Sequence, residues 1–207
     1  MRVIGVTGAV GSGKSRVLEE IEKEYGCPVI RADELARTVQ EKGGRRHEAV
    51  RLILGDECFD QDGRLDRKRT AEKIFSDKDL LGRINETVWP GVMEAAGELI
   101  SEYEEQGRDT VFLESALIFD SDLKDMCTEV WYVHLDEEER MRRLEKGRGY
   151  SREKTGSIRE KQLSDLEFSA RSDRVIDNSG SLEDTMEQVR RIWQQKNMQD
   201  NLYSDWT

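Results

Sequence analysis

The sequence predicts an α/β fold: a parallel five-stranded sheet with helices on both faces, a helical insertion and a helical lid. Three observations predict it. Short apolar runs rich in β-branched residues alternate with segments of helical periodicity. A glycine-rich stretch joins the first such run to the first helix. A long block of almost wholly helical pattern separates the second run from the third.

Arg2-Val3-Ile4-Gly5-Val6-Thr7 reads as a buried parallel strand. Ser15 to Tyr25 carries Val17, Leu18 and Ile21 among charges and reads as a helix. Between them stands Gly8-Ala9-Val10-Gly11-Ser12-Gly13-Lys14-Ser15, which fits G-x-x-x-x-G-K-[ST]. The fold is therefore expected to be of the P-loop NTPase type. Gly8, Gly11 and Gly13 let the backbone approach phosphate oxygens. Successive amides, backed by the helix N-terminus, form an anion nest. Lys14 adds a mobile cation for the β- and γ-phosphates, and Ser15 offers a hard oxygen to Mg²⁺. The whole loop, with Arg16 after it, is assigned to ATP.

Pro28-Val29-Ile30 reads as a second strand, and Asp33 as the N-cap of the helix after it. From Arg45 to Gln106 the pattern is helical, and Trp89-Pro90 is expected to break or kink it. Asp109–Leu113 and Glu129–Leu135 read as sheet strands. Asp173–Ile176 with Asp177 makes a fifth, and Asn178-Ser179-Gly180 turns the chain into a helix from Leu182 to about Lys196, with a frayed polar tail from Asn197.

With 207 residues and 36% hydrophobic content, one domain with an inserted subdomain is expected. The nucleotide-binding core is assigned to 1–35 and 108–207, a helical acceptor-binding insertion to 36–107, and a lid to 137–170. No apolar run approaches the roughly 20 residues of a membrane span. Met1 leads directly into the first strand, which leaves no room for a signal peptide. Cys27, Cys58 and Cys127 are scattered, as fits free thiols in a reducing compartment, so the cytoplasm is expected.

The net charge of −11 argues against a nucleic-acid surface. From Arg140 to Lys161, however, nine Lys or Arg face three Glu, a local +6, so the rest sums to −17. This basic island reads as two helices joined near Gly147-Arg148-Gly149. Phosphoryl transfer needs positioning, charge neutralisation and exclusion of water. Arg140, Arg143 and Arg148 are the candidates for the last two. Most charge runs are solvated faces; the reversal of sign favours a lid.

Asp33, just after the second strand, falls on the sheet edge where ligands bind in open α/β folds. A carboxylate there can accept a proton from an attacking hydroxyl. Asn178, Ser179 and Gly180, at the end of the last strand, are placed to touch an adenine ring. Asp60-Gln61-Asp62-Gly63 imitates a calcium loop, but Cys58 and Arg69 stand where acidic ligands are needed. It also matches D-x-x-G of GTPases, yet no N-K-x-D follows. His47 and His134 have no obvious partners.

Five segments can be set against known motifs. Gly8–Ser15 is similar to GGIGSGKS, Ile30–Arg37 to DAD-xx-AR, and Ile84–Pro90 to LN-xx-xHP. Ala116–Asp120 is similar to PLLFE, and Val175–Gly180 to VIDNSG. In this order, from Val3 to about Trp193, the chain resembles the dephospho-coenzyme A kinase family. The resemblance implies ATP-dependent phosphorylation of the ribose 3′-hydroxyl of dephospho-coenzyme A. It makes Asp33 the general base, Lys14 and the lid arginines charge stabilisers, and Mg²⁺ the cofactor. Asp33, Arg37, Trp89 and Leu117 become acceptor-binding residues, and ATP and dephospho-coenzyme A the partners, with neither nucleic acid nor membrane. The chain is expected to be a monomer or weak homo-oligomer. It departs from the family pattern at Arg31, Trp89, Ala116 and Gly147-Arg148. The alternatives are a kinase of this fold with another small acceptor, or a nucleotide-binding protein without turnover.

Overall fold

Every residue of Val3–Thr7 is buried, so the first strand has no solvent face and must be flanked on both sides. A computed structural model describes residues 1–77, 79–148 and 162–204. In chain order the elements are β1 (Arg2–Thr7), α1 (Lys14–Tyr25), β2 (Val29–Arg31), α2 (Ala32–Gln40) and α3 (His47–Leu54). Then come α4 (Arg67–Ser76), α5 (Leu80–Glu105), β3 (Thr110–Glu114) and β4 (Glu129–His134). The last are α6 (Glu137–Arg148), α7 (Asp165–Arg171), β5 (Arg174–Asp177) and α8 (Leu182–Ser204). The five strands form one sheet in the order β2-β3-β1-β4-β5. β1 pairs in parallel with β3 and β4, and β4 with β5.

The chain divides into two compact units, Met1–Val29 with Asp109–Thr207, and Ile30–Arg108. In the first, α1 and α8 pack on the sheet through Val17, Leu18, Ile21, Met186 and Val189 against Ile4, Phe112, Trp131 and Ile176. Leu18 and Ile21 are fully buried, so truncating either to Ala costs about 2–5 kcal/mol. The register sets the site: Val6 lies beside Glu114 on one side and Trp131 on the other, and Thr7 beside Tyr132. Whatever follows Thr7 therefore emerges between the ends of β3 and β4.

The second unit is helical. α2 and α3 pack on α5, whose Ile84, Val88, Val92 and Ala96 form one buried stripe at four-residue spacing. Arg45 reaches Glu94 and Glu98, and Arg46 reaches Glu94, tying the loop before α3 to α5.

Several expectations need correction. α5 runs unbroken through Pro90, although a helical proline removes one backbone hydrogen bond and costs about 3 kcal/mol. Pro90 is exposed, while the buried stripe continues on either side of it, so packing overrides the local cost. The block from Arg45 to Gln106 is interrupted: Gly55–Asp66 is a turn region in which Phe59 and Leu65 form an antiparallel bridge. Asp33 is not the N-cap of α2; extended Arg31 is, and Asp33 lies in the first turn. α8 continues to Ser204, because no Gly or Pro interrupts it after Gly180. α6 is one helix up to Arg148, and the expected second helix of the basic island falls largely in 149–161, outside the described residues.

Candidate active site

The loop 8–13 leaves β1 at the centre of the sheet and turns into α1. Gly13, the N-cap of α1, has φ 94°, in the left-handed region, and its missing Cβ is where the Asn178 amide packs. Gly11 has φ 88°, and a Cβ there would come 2.9 Å from Leu144 Cγ. No side chain caps α1 and no acidic residue stands in its first turn, so its amides and dipole remain available to an anion.

Lys14 is only 9% exposed. Its Nζ donates to the Gly8 carbonyl at 2.8 Å and the Ala9 carbonyl at 3.3 Å, arching over the loop it belongs to. Ser15 Oγ donates to Glu114 Oε1 at 3.2 Å. Glu114 was not singled out from the sequence, where the third strand was read as ending at Leu113. The available signal was an acidic residue closing an apolar strand of a parallel sheet, the edge at which such folds bind ligands.

α6 lies over the loop. Leu144 and Arg140 approach Gly11, and Arg143 Nη1 is 3.7 Å from where a Gly13 Cβ would be. Arg140 is buried, 7% exposed. Arg143 donates through Nε to Glu139 Oε1 at 2.9 Å, and Arg142 pairs with the same carboxylate. The hydrogen bond from Arg143, then that from Arg142, holds the Glu139 carboxyl below its ordinary range. The side chain of Arg148 lies outside the described part of the structure.

Three buried polar atoms have no hydrogen-bond partner among the described residues and belong to this loop or its cover: Thr7 Oγ1, Ser12 Oγ and Arg140 Nε. Buried polar groups are nearly always satisfied, so such a cluster marks a place for a polar ligand or water.

Two contacts from distant parts of the chain brace the loop. Asn178 Nδ2 donates to the Ser12 carbonyl at 2.8 Å, and Gln162 Oε1 accepts from the Val10 amide at 3.2 Å. Tyr132 fixes α7: its hydroxyl donates to Asp165 Oδ1 at 2.6 Å, and its ring stacks on Phe168 at 5.0 Å and packs on Ala9. Burial, then the Asp165 hydrogen bond, raises the Tyr132 hydroxyl pKa far above its ordinary value.

The structure thus brings Gly8–Ser15, Arg140, Arg143 and Asn178 together. Ser179 Oγ accepts from the Asp136 amide at 3.0 Å, and Gly180 faces Asp184. Arg16 is exposed and pairs along α1 with Glu19 and Glu20. Leu117 is exposed in the first unit. Asp33, Arg37 and Trp89 belong to the second unit, with Asp33 and Arg37 exposed and Trp89 half-buried.

A parallel sheet whose central strand ends in a phosphate loop, under a helix carrying arginines, defines a P-loop phosphotransferase. Residues 2–184 match the family described as CoaE, dephospho-CoA kinase. A dephospho-CoA kinase of Shouchella clausii is 36% identical over 90% of this chain and 94% of that protein. Among solved structures, TT1252 from Thermus thermophilus superposes with a TM-score of 0.78 at 31% identity, covering 94% of this chain and 97% of that one. The dephospho-CoA kinase from Campylobacter jejuni, at 19% identity and a TM-score of 0.64, shares the fold over 94% of this chain and 96% of its own. The chain belongs to the dephospho-CoA kinase family.

Proposed function

We propose that the chain transfers the terminal phosphoryl group of ATP to the ribose 3′-hydroxyl of dephospho-coenzyme A, giving coenzyme A and ADP. One observation carries the reading. Lys14, Arg140 and Arg143 converge on a loop whose helix N-terminus is uncapped, beside buried polar atoms without partners among the described residues. That is a site for a polyanion whose charge migrates during reaction.

Each residue has its role. The loop amides grip the phosphates, and Lys14 leaves the Gly8 and Ala9 carbonyls to contact the transferring group. Arg140 and Arg143 neutralise it from above and α6 excludes water. Asp33, directly after β2, accepts the proton of the attacking hydroxyl. Arg37 and Trp89 in the insertion 36–107, with Leu117, bind the acceptor.

Ser15 Oγ and Glu114 Oε1, two hard oxygens 3.2 Å apart, suit Mg²⁺, which takes few protein ligands and keeps water and phosphate oxygens. No group of three or more His, Cys, Asp or Glu could hold a metal among the described residues, as fits an ion that arrives with the nucleotide. Mg²⁺, when bound, neutralises charge on the β- and γ-phosphate oxygens. No described helix is long and apolar enough to cross a membrane. The free cysteines support a cytoplasmic location, and we take the chain as a monomer or weak homo-oligomer without nucleic-acid partners.

The test is ADP release with Mg-ATP and dephospho-coenzyme A, with the product identified by mass. Phosphorylation of that acceptor is expected. ATP binding with no turnover on it overturns the reading.

A further inference from the structure

Most basic side chains of the second unit are matched. Arg45 has Glu94 and Glu98, Arg46 has Glu94, Arg51 has Asp56, and Lys73 has Glu57. One cleft of about 360 Å³ breaks this pattern. Arg37, Lys42, Arg64 and Arg67 line it, with Glu41 as its sole carboxylate and Leu65 among its apolar lining. Glu41 meets Arg67 at a loose 3.8 Å, both largely exposed, and Arg64 meets Asp62 at 3.9 Å. The side chains of Arg37 and Lys42 have no ion pair among the described residues.

Four cations held together in a chain of net charge −11 repel one another, and the backbone enforces the arrangement. The turn carrying Arg64 is pinned because Asp60 Oδ1 accepts from the Asp62 amide at 2.9 Å and the Arg64 amide at 2.8 Å. Gly63 has φ 76°, and a Cβ there would touch the Lys42 stem at 3.8 Å. Pre-ordered cations lose less entropy on binding. Guanidinium forks match phosphate oxygens, and a small pocket with several of them suits adjacent phosphates rather than one carboxylate.

We propose that this cleft binds a diphosphate, and that the diphosphate is the bridge within the acceptor itself. This rests on the reading of the reaction given above. The cleft would hold the acceptor by a part remote from the reacting hydroxyl, so it governs acceptor affinity and not the chemical step.

The experiment compares the wild type with the double variant Arg64→Gln/Arg67→Gln. Both side chains are exposed, and thermal melts check that the fold is kept. KM for dephospho-coenzyme A is expected to rise roughly 10- to 100-fold, the span of one or two lost charge-assisted contacts. KM for ATP stays put. Adenosine, which lacks the diphosphate, is expected to react equally poorly with both proteins, and Arg64→Lys/Arg67→Lys to recover part of the loss. An unchanged KM for dephospho-coenzyme A, or an equal loss with adenosine, overturns the proposal. Should the wild type fail to phosphorylate dephospho-coenzyme A, the reaction reading falls, and calorimetry with inorganic pyrophosphate decides whether the cleft takes a diphosphate. Binding that the variant loses upholds the diphosphate site, and no binding overturns it. Pyrophosphate displaced by dephospho-coenzyme A supports the acceptor as its source. Simultaneous binding of the two overturns that source in favour of a free anion.

Discussion

The Asn178 side-chain amide donates to the Ser12 carbonyl at 2.8 Å, linking the end of the last strand to the middle of the phosphate loop across 166 residues of sequence. Thr185 Oγ1 donates to Asn178 Oδ1 at 3.0 Å and so fixes which end of the amide faces the loop. Asn178→Ala leaves a buried carbonyl unsatisfied, a loss of about 1–3 kcal/mol, or a Tm lowered by roughly 2–10 °C. KM for ATP is expected to rise as the loop loosens. Asn178→Asp is expected to be worse, because it sets a carboxylate oxygen against the Ser12 carbonyl. Thermal melts and ATP saturation curves check both.

Lys14→Ala removes the cation that the loop carries over its own carbonyls. Turnover is expected to fall by roughly 10²–10³, as when one preorganised charge stabiliser is lost. Folding should survive, since the chain loses contacts only to Gly8 and Ala9 that a nucleotide would replace. Steady-state kinetics with a calorimetric check of ATP affinity separates the two; wild-type turnover removes Lys14 from the mechanism.

The loop was legible because its function is local. Eight consecutive residues set the φ angles, the amide nest and the cation, and the apolar run before them sets the strand. The supports were not legible, because they come from far along the chain. Gln162 reaches Val10 and Asn178 reaches Ser12 only once the sheet order is known. Glu114 is intermediate: the strand that ends in it was visible, but its pairing with Ser15 depends on the β1–β3 register. Pro90 misled for the opposite reason. Its local signal is strong, and the buried stripe from Ile84 to Ala96 outweighs it. Asp33 was placed within two residues of its position, with the cap role passing to Arg31.

Ser15→Ala and Glu114→Gln each remove one oxygen of the candidate metal pair. Both variants are expected to need several-fold more Mg²⁺ for half-maximal activity, and Mn²⁺ is expected to restore part of the loss. Titration of activity with metal at fixed ATP is the measurement. An unchanged Mg²⁺ dependence in both variants assigns the Ser15–Glu114 contact to loop structure alone.

Asp33→Asn keeps the shape of the side chain and removes its basicity. As a general base, Asp33 contributes roughly 10²–10⁴ to turnover, so kcat is expected to fall by that factor with little change in ATP affinity. The side chain is exposed in the first turn of α2, so stability should hardly move. Weakened ATP binding at unchanged kcat would instead make it a nucleotide-side residue.

The helix that carries Lys14 is tied down at its other end by Glu24, whose Oε1 accepts from Arg190 Nε at 2.8 Å. The Arg190 hydrogen bond is the largest cause holding the Glu24 carboxyl below 4.5. A carboxyl whose folded pKa is depressed contributes stability above its unfolded pKa. That contribution fades as pH falls through the folded value. Glu24→Gln is therefore expected to be less stable than the wild type at pH 7, with the difference shrinking below about pH 4.5 and vanishing near pH 2–3. Chemical denaturation at pH 7, 5 and 3 measures it, and a gap that persists unchanged to pH 3 shows that packing, not charge, joins α1 to α8.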